Sequence, residues 1–114
     1  MAADARDVVV VDVGGRKLAV PTAHAREVAA AGWVTPVPLA LAPIAGVTQL
    51  RGQILPVLDV VEPPRAVQPE DPLLVLEYGN TRAALVFARL CPPDHAHHDA
   101  EPLDVAALFA SAQQ

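Results

Sequence analysis

The side chains that could carry chemistry are few, and several of them lie in one segment near the C-terminus. Residues 94–99 read DHAHHD, so His95, His97 and His98 could hold a divalent ion together with two aspartates. Their spacing matches no zinc-binding template, and prolines at 92 and 93 mark the segment as a surface loop. We therefore expect no metal site there, although the histidines can change the charge of the loop near neutral pH.

Catalytic motifs are absent from the sequence. It contains no GxSxG, HExxH or CxxC motif and no phosphate-binding P-loop. The single cysteine, Cys91, follows the apolar run LVFARL and is interpreted as a structural thiol at the end of a strand. The Gly14-Gly15 pair leads into a strand rather than a helix, so it does not form a phosphate site. We predict a protein that is not an enzyme, with no catalytic residue and no cofactor.

Arg51 is the remaining candidate, and it lies between two strongly apolar runs. Residues 44–60 read IAGVTQLRGQILPVLDV, in which Arg51 and Asp59 are the only charged residues. The two runs predict strands that meet at a tight turn over Arg51 and Gly52. Such an arginine is either an ordinary solvated turn residue or a binding residue presented by a rigid turn.

Composition and charge limit the possible partners. The 114 residues suit one domain, and 53% hydrophobic residues with only 4% aromatics supply a mainly aliphatic core. A formal net charge of −5 disfavours nucleic acid and anionic membranes as partners. No apolar run approaches the roughly 20 residues of a membrane span. The start MAADARD is too polar for a secretory signal, so a cytoplasmic protein is expected.

Periodicity and turn residues predict an all-β fold of about seven strands with two short helices. The strands are VVVVDV and RKLAV around Gly14-Gly15, WVTPVP, GVTQL and QILPVLDV around Arg51, and LLVLEY and TRAALVFARL around Gly79-Asn80. The helices are residues 23–31, ended by Gly32, and the terminal PLDVAALFASAQQ, with Pro102 in its first turn.

Three further features of the sequence bear on packing. Pro56 cannot donate a ladder hydrogen bond, so it is expected at a sheet edge or a bulge. Trp33 is the only tryptophan and is expected to pack, although a place on a contact surface stays open. The segments LALAPIA and EPPRAVQPEDP, rich in proline, predict connectors between the strands.

The central stretch resembles the signature of the CheW-like domain, which occurs in the coupling proteins of bacterial chemotaxis arrays. That signature runs Gly-Val-x-Asn-Leu-Arg-Gly, then apolar positions, a proline, two more apolar positions and an aspartate. The residues in register with it are Gly46, Val47, Leu50, Arg51, Gly52, Pro56 and Asp59. Upstream and downstream segments also resemble the family, so the likeness covers about residues 8–90 and 102–109.

The resemblance implies a fold, a function and contact residues. The fold would be two small SH3-like β-barrels within a single domain over residues 1–114. The function would be that of an adaptor in signal transduction and motility, associated with chemosensory arrays. Its partners would be the cytoplasmic domain of a methyl-accepting chemotaxis receptor and the regulatory domain of a histidine kinase. The receptor contact would be Arg51 with Gly46, Val47, Gln49, Leu50 and Gly52, and a possible kinase side would include Ala25 and Val28.

Three departures from the family pattern shape the expected function. Gln49 replaces the signature asparagine, and Ala25 stands where a larger apolar residue is usual. Only the eleven residues 91–101 join the second hairpin to the terminal segment, where the family has further strands. The second barrel is therefore expected to be incomplete, truncated between about 90 and 102, and kinase binding to be reduced or absent.

This shortened form resembles the small accessory CheW-like protein of the myxobacterial Frz pathway. The alternative is a minimal but complete coupling protein that bridges receptor and kinase. A third hypothesis, of another class, is a small enzyme or metal sensor built around the histidine loop. The missing strands also predict an exposed strand edge, through which the chain would form a homodimer or take up a strand of a partner.

Overall fold

The computed structural model describes residues 8–37, 43–60, 67–91 and 100–112. In these ranges the chain forms nine strands and one helix: β1 (Val8–Val13), β2 (Arg16–Pro21), β3 (Ala25–Ala30), β4 (Ile44–Leu50), β5 (Gln53–Leu58), β6 (Pro72–Tyr78), β7 (Thr81–Val86), β8 (Arg89–Leu90), β9 (Glu101–Pro102) and α1 (Val105–Ser111). The predicted histidine loop, most of the LALAPIA connector and the front of the proline-rich linker lie outside the described residues.

One sheet has four strands in the order β8-β1-β2-β9. Its centre is the predicted hairpin of β1 and β2, which turns at Gly14 and Gly15 with φ of 60° and 87°. Glycine adopts this left-handed backbone without steric cost, which is why the pair can form a two-residue turn. The outer strands are short: β8 pairs antiparallel with β1, and β9 pairs parallel with β2.

The other sheet has five strands in the order β3-β6-β7-β5-β4. Two predicted hairpins, β4–β5 and β6–β7, are joined side by side through a parallel pairing of β5 with β7. The segment after β3 returns to β4, where Thr35 and Val47 exchange two backbone hydrogen bonds of 2.8 and 2.9 Å. The sheet is therefore curled so that its two edges approach each other, without forming a closed barrel.

Two apolar clusters hold this arrangement together. The larger one lies between the two sheets and is covered by α1; the smaller one lies inside the curl of the five-stranded sheet. The larger cluster includes Val11, Leu18, Val20, Leu58, Leu74, Leu76, Leu85 and Phe109, and the smaller one includes Ala31, Val57, Leu73, Ala84 and Val86. Both clusters are mainly aliphatic, as the composition predicts, and the β-strand alternation sends neighbouring residues of β5, β6 and β7 into different clusters.

The predicted helix over residues 23–31 is wrong, because that segment forms strand β3. It pairs antiparallel with β6, with a register shift between Ala25 and Glu27. Burial in β3 alternates between half-buried and exposed residues, which is the period of a strand and not of a helix. Alanine, arginine and glutamate are good helix formers, but propensities differ by less than about 1 kcal/mol per residue, so sheet pairing and core burial outweigh them.

The terminal helix is confirmed, but it begins later than expected. Asp104 is its N-cap, with the side-chain oxygen accepting a 3.0 Å hydrogen bond from the Ala107 N–H, so Pro102 belongs to β9 and not to the first turn. The buried residues of the helix are Val105, Leu108 and Phe109. Ala106, Ala107 and Ala110 are exposed, so only part of the apolar run of this segment is buried.

The predicted last strand, TRAALVFARL, is split between the two sheets. Its first part is β7 of the five-stranded sheet, and Arg89–Leu90 form β8 of the four-stranded sheet. The crossing occurs at Phe87 and Ala88, where the Ala88 N–H donates to the Asp12 carbonyl oxygen at 2.7 Å. One continuous apolar run therefore builds both sheets, which fixes them side by side over the shared cluster.

Candidate functional site

The Arg51 turn has the predicted tight geometry. Leu50 pairs with Gln53, so Arg51 and Gly52 are the two turn residues, with φ of 50° and 80°. Two left-handed residues match the twist of the flanking strands, but for arginine this conformation costs roughly 1–2 kcal/mol. The β4–β5 ladder holds the arginine in this conformation and presents its side chain, which is 69% exposed.

Glu27 on β3 is the partner of Arg51, and sequence reasoning did not identify it. Arg51 Nη1 donates a short hydrogen bond to Glu27 Oε2. This hydrogen bond lowers the pKa of Glu27 below its ordinary value and raises the pKa of Arg51. The pair fixes the direction of the guanidinium and engages only one of its nitrogens, and a guanidinium has five N–H donors in all.

Two more arginines lie at the same end of the five-stranded sheet. Arg26 Nη1 lies 3.4 Å from Glu77 Oε1, and Arg82 Nε donates to Glu77 Oε2 at 3.3 Å. Arg82 Nη1 also donates to Gln53 Oε1 at 3.2 Å, which connects this group to the Arg51 turn. We call Arg26, Arg51 and Arg82 the arginine rim; with Glu27 and Glu77 it carries a formal charge of +1 in a chain whose net charge is −5.

Gly46 leaves the space that lets the chain close beside β4. A Cβ at this position would lie 2.6 Å from the Thr35 carbonyl oxygen and 2.8 Å from Val34 Cγ1, closer than such contacts allow. The signature glycine therefore has a structural reason: it permits the backbone at Thr35 to approach β4. This approach positions the segment that carries Trp33 and Thr35 next to the Arg51 hairpin.

Pro56 does not lie at an edge or bulge as expected, because β5 has β4 on one side and β7 on the other. Its partner Val47 uses both backbone groups in hydrogen bonds with Thr35. The backbone of Val47 therefore requires no hydrogen bond from Pro56. The pairing of β5 with β7 starts only at Val57. The missing N–H of the proline is tolerated at this one position of an inner strand.

The six residues predicted to contact a receptor do not form one exposed surface. Three are exposed, two are half-buried and one is buried: Gln49, Arg51 and Gly52, then Val47 and Leu50, then Gly46. Gly46 contributes by its small size and not by contact. The exposed part is the turn itself with the neighbouring position on β4.

Ala25 and Val28, the residues predicted for a kinase side, lie on β3. Ala25 packs against the cluster between the sheets, while Val28 is 48% exposed. Val28 pairs with Leu74 of β6. The two residues are thus near each other along one strand, but only Val28 offers an exposed apolar side chain.

Trp33 is not packed, which corrects the expectation made for it. It is 86% exposed, and Ile54 of β5 is 73% exposed. Antiparallel partners share a face and alternate residues return to it, so Ile54 lies on the same face as Gln49, Val47 and Trp33. We call Trp33, Thr35, Val47, Gln49, Ile54 and Pro56 the outer face of the β4–β5 hairpin.

The described residues contain no cluster of metal-ligating side chains, and the histidine loop is not among them. Cys91 is half-buried just after β8, where its N–H donates to the Val10 carbonyl oxygen at 2.9 Å. In the described part of the chain, no helix has the length and apolar character needed to cross a membrane.

This chain is similar to known proteins in sequence and in fold. The model of the CheW-like domain matches residues 7–92. Protein FrzA of Myxococcus xanthus is 47% identical over 49 residues, which are 43% of this chain and 31% of FrzA. The crystal structure of the scaffolding protein TtCheW from Thermoanaerobacter tengcongensis matches with a TM-score of 0.62 and 20% identity, over 82% of this chain and 64% of TtCheW.

These matches cover the relatives only in part, because the chain spans less than a third of FrzA and less than two thirds of TtCheW. At 20% identity the structural match shows the fold, in which the two sheets correspond to the two SH3-like subdomains of that protein.

Proposed function

The chain belongs to the CheW-like domain family, and we propose that it is a non-catalytic adaptor that binds the cytoplasmic signalling tip of a chemoreceptor. The Arg51 turn carries this proposal. It presents an exposed guanidinium on a left-handed turn residue, oriented by Glu27, and the adjacent residues of the hairpin are uncharged. An arginine held in this way is suited to charge-assisted hydrogen bonds with a partner carboxylate.

The receptor tip is expected to be a helical hairpin, as the family resemblance implies. A helix docks by placing apolar side chains against an apolar surface, while polar contacts at the margin fix its orientation. Arg51, Gly52 and Gln49 would supply the polar margin. Gly46 and Leu50 would support the turn from the opposite face of β4, and Val47 would lie half-buried on the same face as Gln49.

Reduced or absent kinase binding is the second part of the proposal. The four-stranded sheet supports it, because its outer strands β8 and β9 have only two residues each. Such short strands offer little ordered edge to a partner. Ala25 supports it as well, since its small side chain packs inward and adds nothing to an exposed apolar contact. The protein would then modulate the assembly of chemosensory arrays by competing for receptor tips.

A minimal coupling protein that bridges receptor and kinase is the alternative. One observation favours it: Val28 is half exposed on β3, at the edge of the five-stranded sheet. A kinase regulatory domain could use this side chain and the strand edge without the missing strands. The two functions differ in a single measurable property, which is affinity for the kinase.

Two calorimetric titrations test both functions. One uses the receptor signalling domain and the other the kinase regulatory domain, both from the same organism as the chain. We expect binding to the receptor and none to the kinase; binding to both would establish the minimal coupler, and binding to neither would contradict the proposal. Arg51→Glu should weaken receptor binding by roughly tenfold or more, because it puts a like charge against the partner carboxylate.

The matched control is Arg89→Glu, at an exposed arginine of β8 in the other sheet. It makes the same change in net charge and should leave receptor affinity unchanged. Equal losses of receptor affinity in the two variants would mean that only net charge affects binding. Arg51 would then not be a contact residue.

Self-pairing through a strand edge stays a prediction. The candidate edges are β8 and β9, and their length of two residues each limits such pairing to high protein concentration. Within the described residues these strands end the four-stranded sheet, whereas the two edges of the five-stranded sheet approach each other. Light scattering at high concentration checks the prediction, and a monomer under those conditions would contradict it.

A further inference from the structure

Trp33 and Ile54 are the two most exposed large apolar side chains of the described residues, at 86% and 73%. Others in that class are between 41% and 50% exposed. A single exposed apolar residue is ordinary, but two on one face form a patch that marks a contact surface. The outer face of the β4–β5 hairpin contains both of them.

The geometry of this patch follows from contacts of β4 with its two neighbours. Ile54 is directly opposite Gln49. Trp33 lies on the other side of β4, two residues from the Thr35–Val47 bridge, and its carbonyl oxygen accepts a 3.0 Å hydrogen bond from Thr48 Oγ1. Neighbouring strands are about 4.8 Å apart, so the two apolar side chains start roughly 10 Å apart on a line that crosses the strands. No residue of the outer face is charged, and Val47 and Pro56 continue it as half-buried apolar positions.

We propose that the outer face binds the apolar stripe of one helix, which crosses the strands with Trp33 and Ile54 as its two anchor points. The proposal rests on the proposed function, because a chemoreceptor tip is the helical partner. Residues i and i+7 of a helix are about 10 Å apart along its axis and lie on the same side. One apolar side chain would then pack on Trp33 and another, two turns on, would pack on Ile54.

The charge of the arginine rim also restricts which helix can bind. The arginine rim begins at the turn, two residues beyond Ile54 and Gln49 along the two strands, and carries +1 where the chain carries −5. The flank of the helix that faces the turn should therefore present a carboxylate to Arg51. The partner is thus an amphipathic helix with an acidic residue beside its apolar stripe.

The size of the patch disfavours a second copy of the chain as the occupant. Two exposed side chains of this size and their neighbours offer a few hundred Å², whereas a stable protein interface buries about 800 Å² on each partner. A single helix needs no more than the strip between Trp33 and Ile54, with the arginine rim adding the polar contacts.

Binding at the outer face can be measured through the fluorescence of Trp33, because its indole is the only one in the chain. The probe is the receptor tip as a soluble helical hairpin without tryptophan, titrated into the full chain. We expect the emission of the exposed indole to shift to shorter wavelength and its quenching by acrylamide to decrease, with the midpoint that calorimetry gives. Binding by calorimetry without either change would overturn the surface while leaving the proposed function intact.

Two other outcomes of this titration would also overturn the proposal. No binding at all would overturn the proposed function and the surface together. A wavelength shift that depends on the concentration of the chain alone would mean that a second copy covers Trp33, which also overturns the proposal.

Variants show whether receptor affinity depends on the outer face or on exposed apolar area in general. Ile54→Thr keeps a β-branched residue in β5 and removes apolar contact area, so receptor affinity should fall about tenfold. Trp33→Ser should reduce it at least as much. The matched control is Leu90→Ser, at a residue 50% exposed on β8, which should leave affinity unchanged. Folding of each variant is checked by its thermal unfolding transition, and normal affinity in folded Ile54→Thr and Trp33→Ser would refute the assignment.

Discussion

The two sheets are built in different ways from similar numbers of strands. The five-stranded sheet has strands of six or seven residues, contains two complete hairpins and encloses an apolar cluster of its own. The four-stranded sheet has one hairpin, and its two outer strands of two residues each come from distant parts of the chain. The five-stranded sheet is therefore held by strand pairing and packing of its own. The four-stranded sheet depends on the apolar cluster that the two sheets share.

The candidate contact residues follow the same division. The Arg51 turn, its partner Glu27 and the exposed Trp33 and Ile54 all belong to the five-stranded sheet or the segment that closes it. The four-stranded sheet contributes packing, and we propose that it contributes little binding. A rigid sheet that presents few polar groups suits recognition of a helix, because little conformational freedom is lost on binding.

The largest effect is expected from truncating a side chain that both sheets share. Leu85 is fully buried on β7 and belongs to the cluster between the sheets. Leu85→Ala should lower the free energy of unfolding by about 2–5 kcal/mol, since it removes buried apolar contacts and leaves a cavity. Urea denaturation measures the change, and the loss should appear in one transition. Two separate transitions would show that the sheets unfold independently and that neither depends on the shared cluster.

A smaller loss is expected from Gly46→Ala, which acts on the five-stranded sheet alone. The added methyl group must displace the backbone at Thr35, so we expect a loss of about 1–3 kcal/mol and weaker receptor binding. The control is Gly15→Ala in the hairpin of the other sheet, where a Cβ would meet no atom within 4 Å and only the positive φ opposes it. Receptor affinity should be normal in this control, and an equal loss of affinity there would contradict the role given to Gly46.

A third prediction concerns the helix that covers the shared cluster. Asp104→Ala removes the side-chain acceptor for the Ala107 N–H, so the free energy of unfolding should fall by about 1 kcal/mol. Asp104→Asn keeps an acceptor and should restore most of it. Thermal unfolding of both variants checks this, and equal destabilisation by alanine and asparagine would mean that the cap does not act through its hydrogen bond.

The smallest effects are expected from two exposed ion pairs, one in each sheet. Arg51 lowers the pKa of Glu27, and Arg16, bonded to Glu101 at 3.0 and 3.1 Å, lowers the pKa of Glu101; both carboxyls normally titrate at 4.5. Because both pKa values are depressed in the folded protein, each pair stabilises it above pH 4.5. That stabilisation is lost as the pH falls through the folded pKa.

NMR titration of the two carboxyls measures these midpoints directly. Solvent screening keeps the effect on unfolding small for both pairs. Glu27→Gln should change the orientation of Arg51 and hence receptor affinity, whereas Glu101→Gln should not. A midpoint at or above 4.5 for Glu27 would contradict the pairing with Arg51.

The sequence was sufficient to predict the three hairpins, the Arg51 turn and the terminal helix. Each of these depends on local signals: glycine at a turn, apolar runs on either side, and apolar residues at helical spacing near the C-terminus, although the start of the helix was predicted too early. Strand β3 was not predictable in this way, because AREVAA has helical propensity and becomes a strand only through its pairing with β6. The two-residue strands β8 and β9 have no local signal at all and exist through long-range pairing.

The site was predicted less completely than the fold. Arg51 was found through the motif, but Glu27 is 24 residues away and only the curl of the sheet brings them together. Trp33 was expected to pack because large aromatic residues usually do. Its exposure follows from the Thr35–Val47 bridge, which turns alternate residues of that segment outward, and no feature of the sequence indicates that bridge.

The crossing of the chain at Phe87 and Ala88 also has a consequence for the order of folding. Every strand of the five-stranded sheet precedes this point, whereas the contact between Arg16 and Glu101 joins residues 85 positions apart. Closing so long a loop carries a larger entropic barrier than forming hairpins, so β9 and α1 should join last. Pulsed hydrogen exchange should then show the amides of β6 and β7 protected earlier than that of Leu103, which bonds to Ala19.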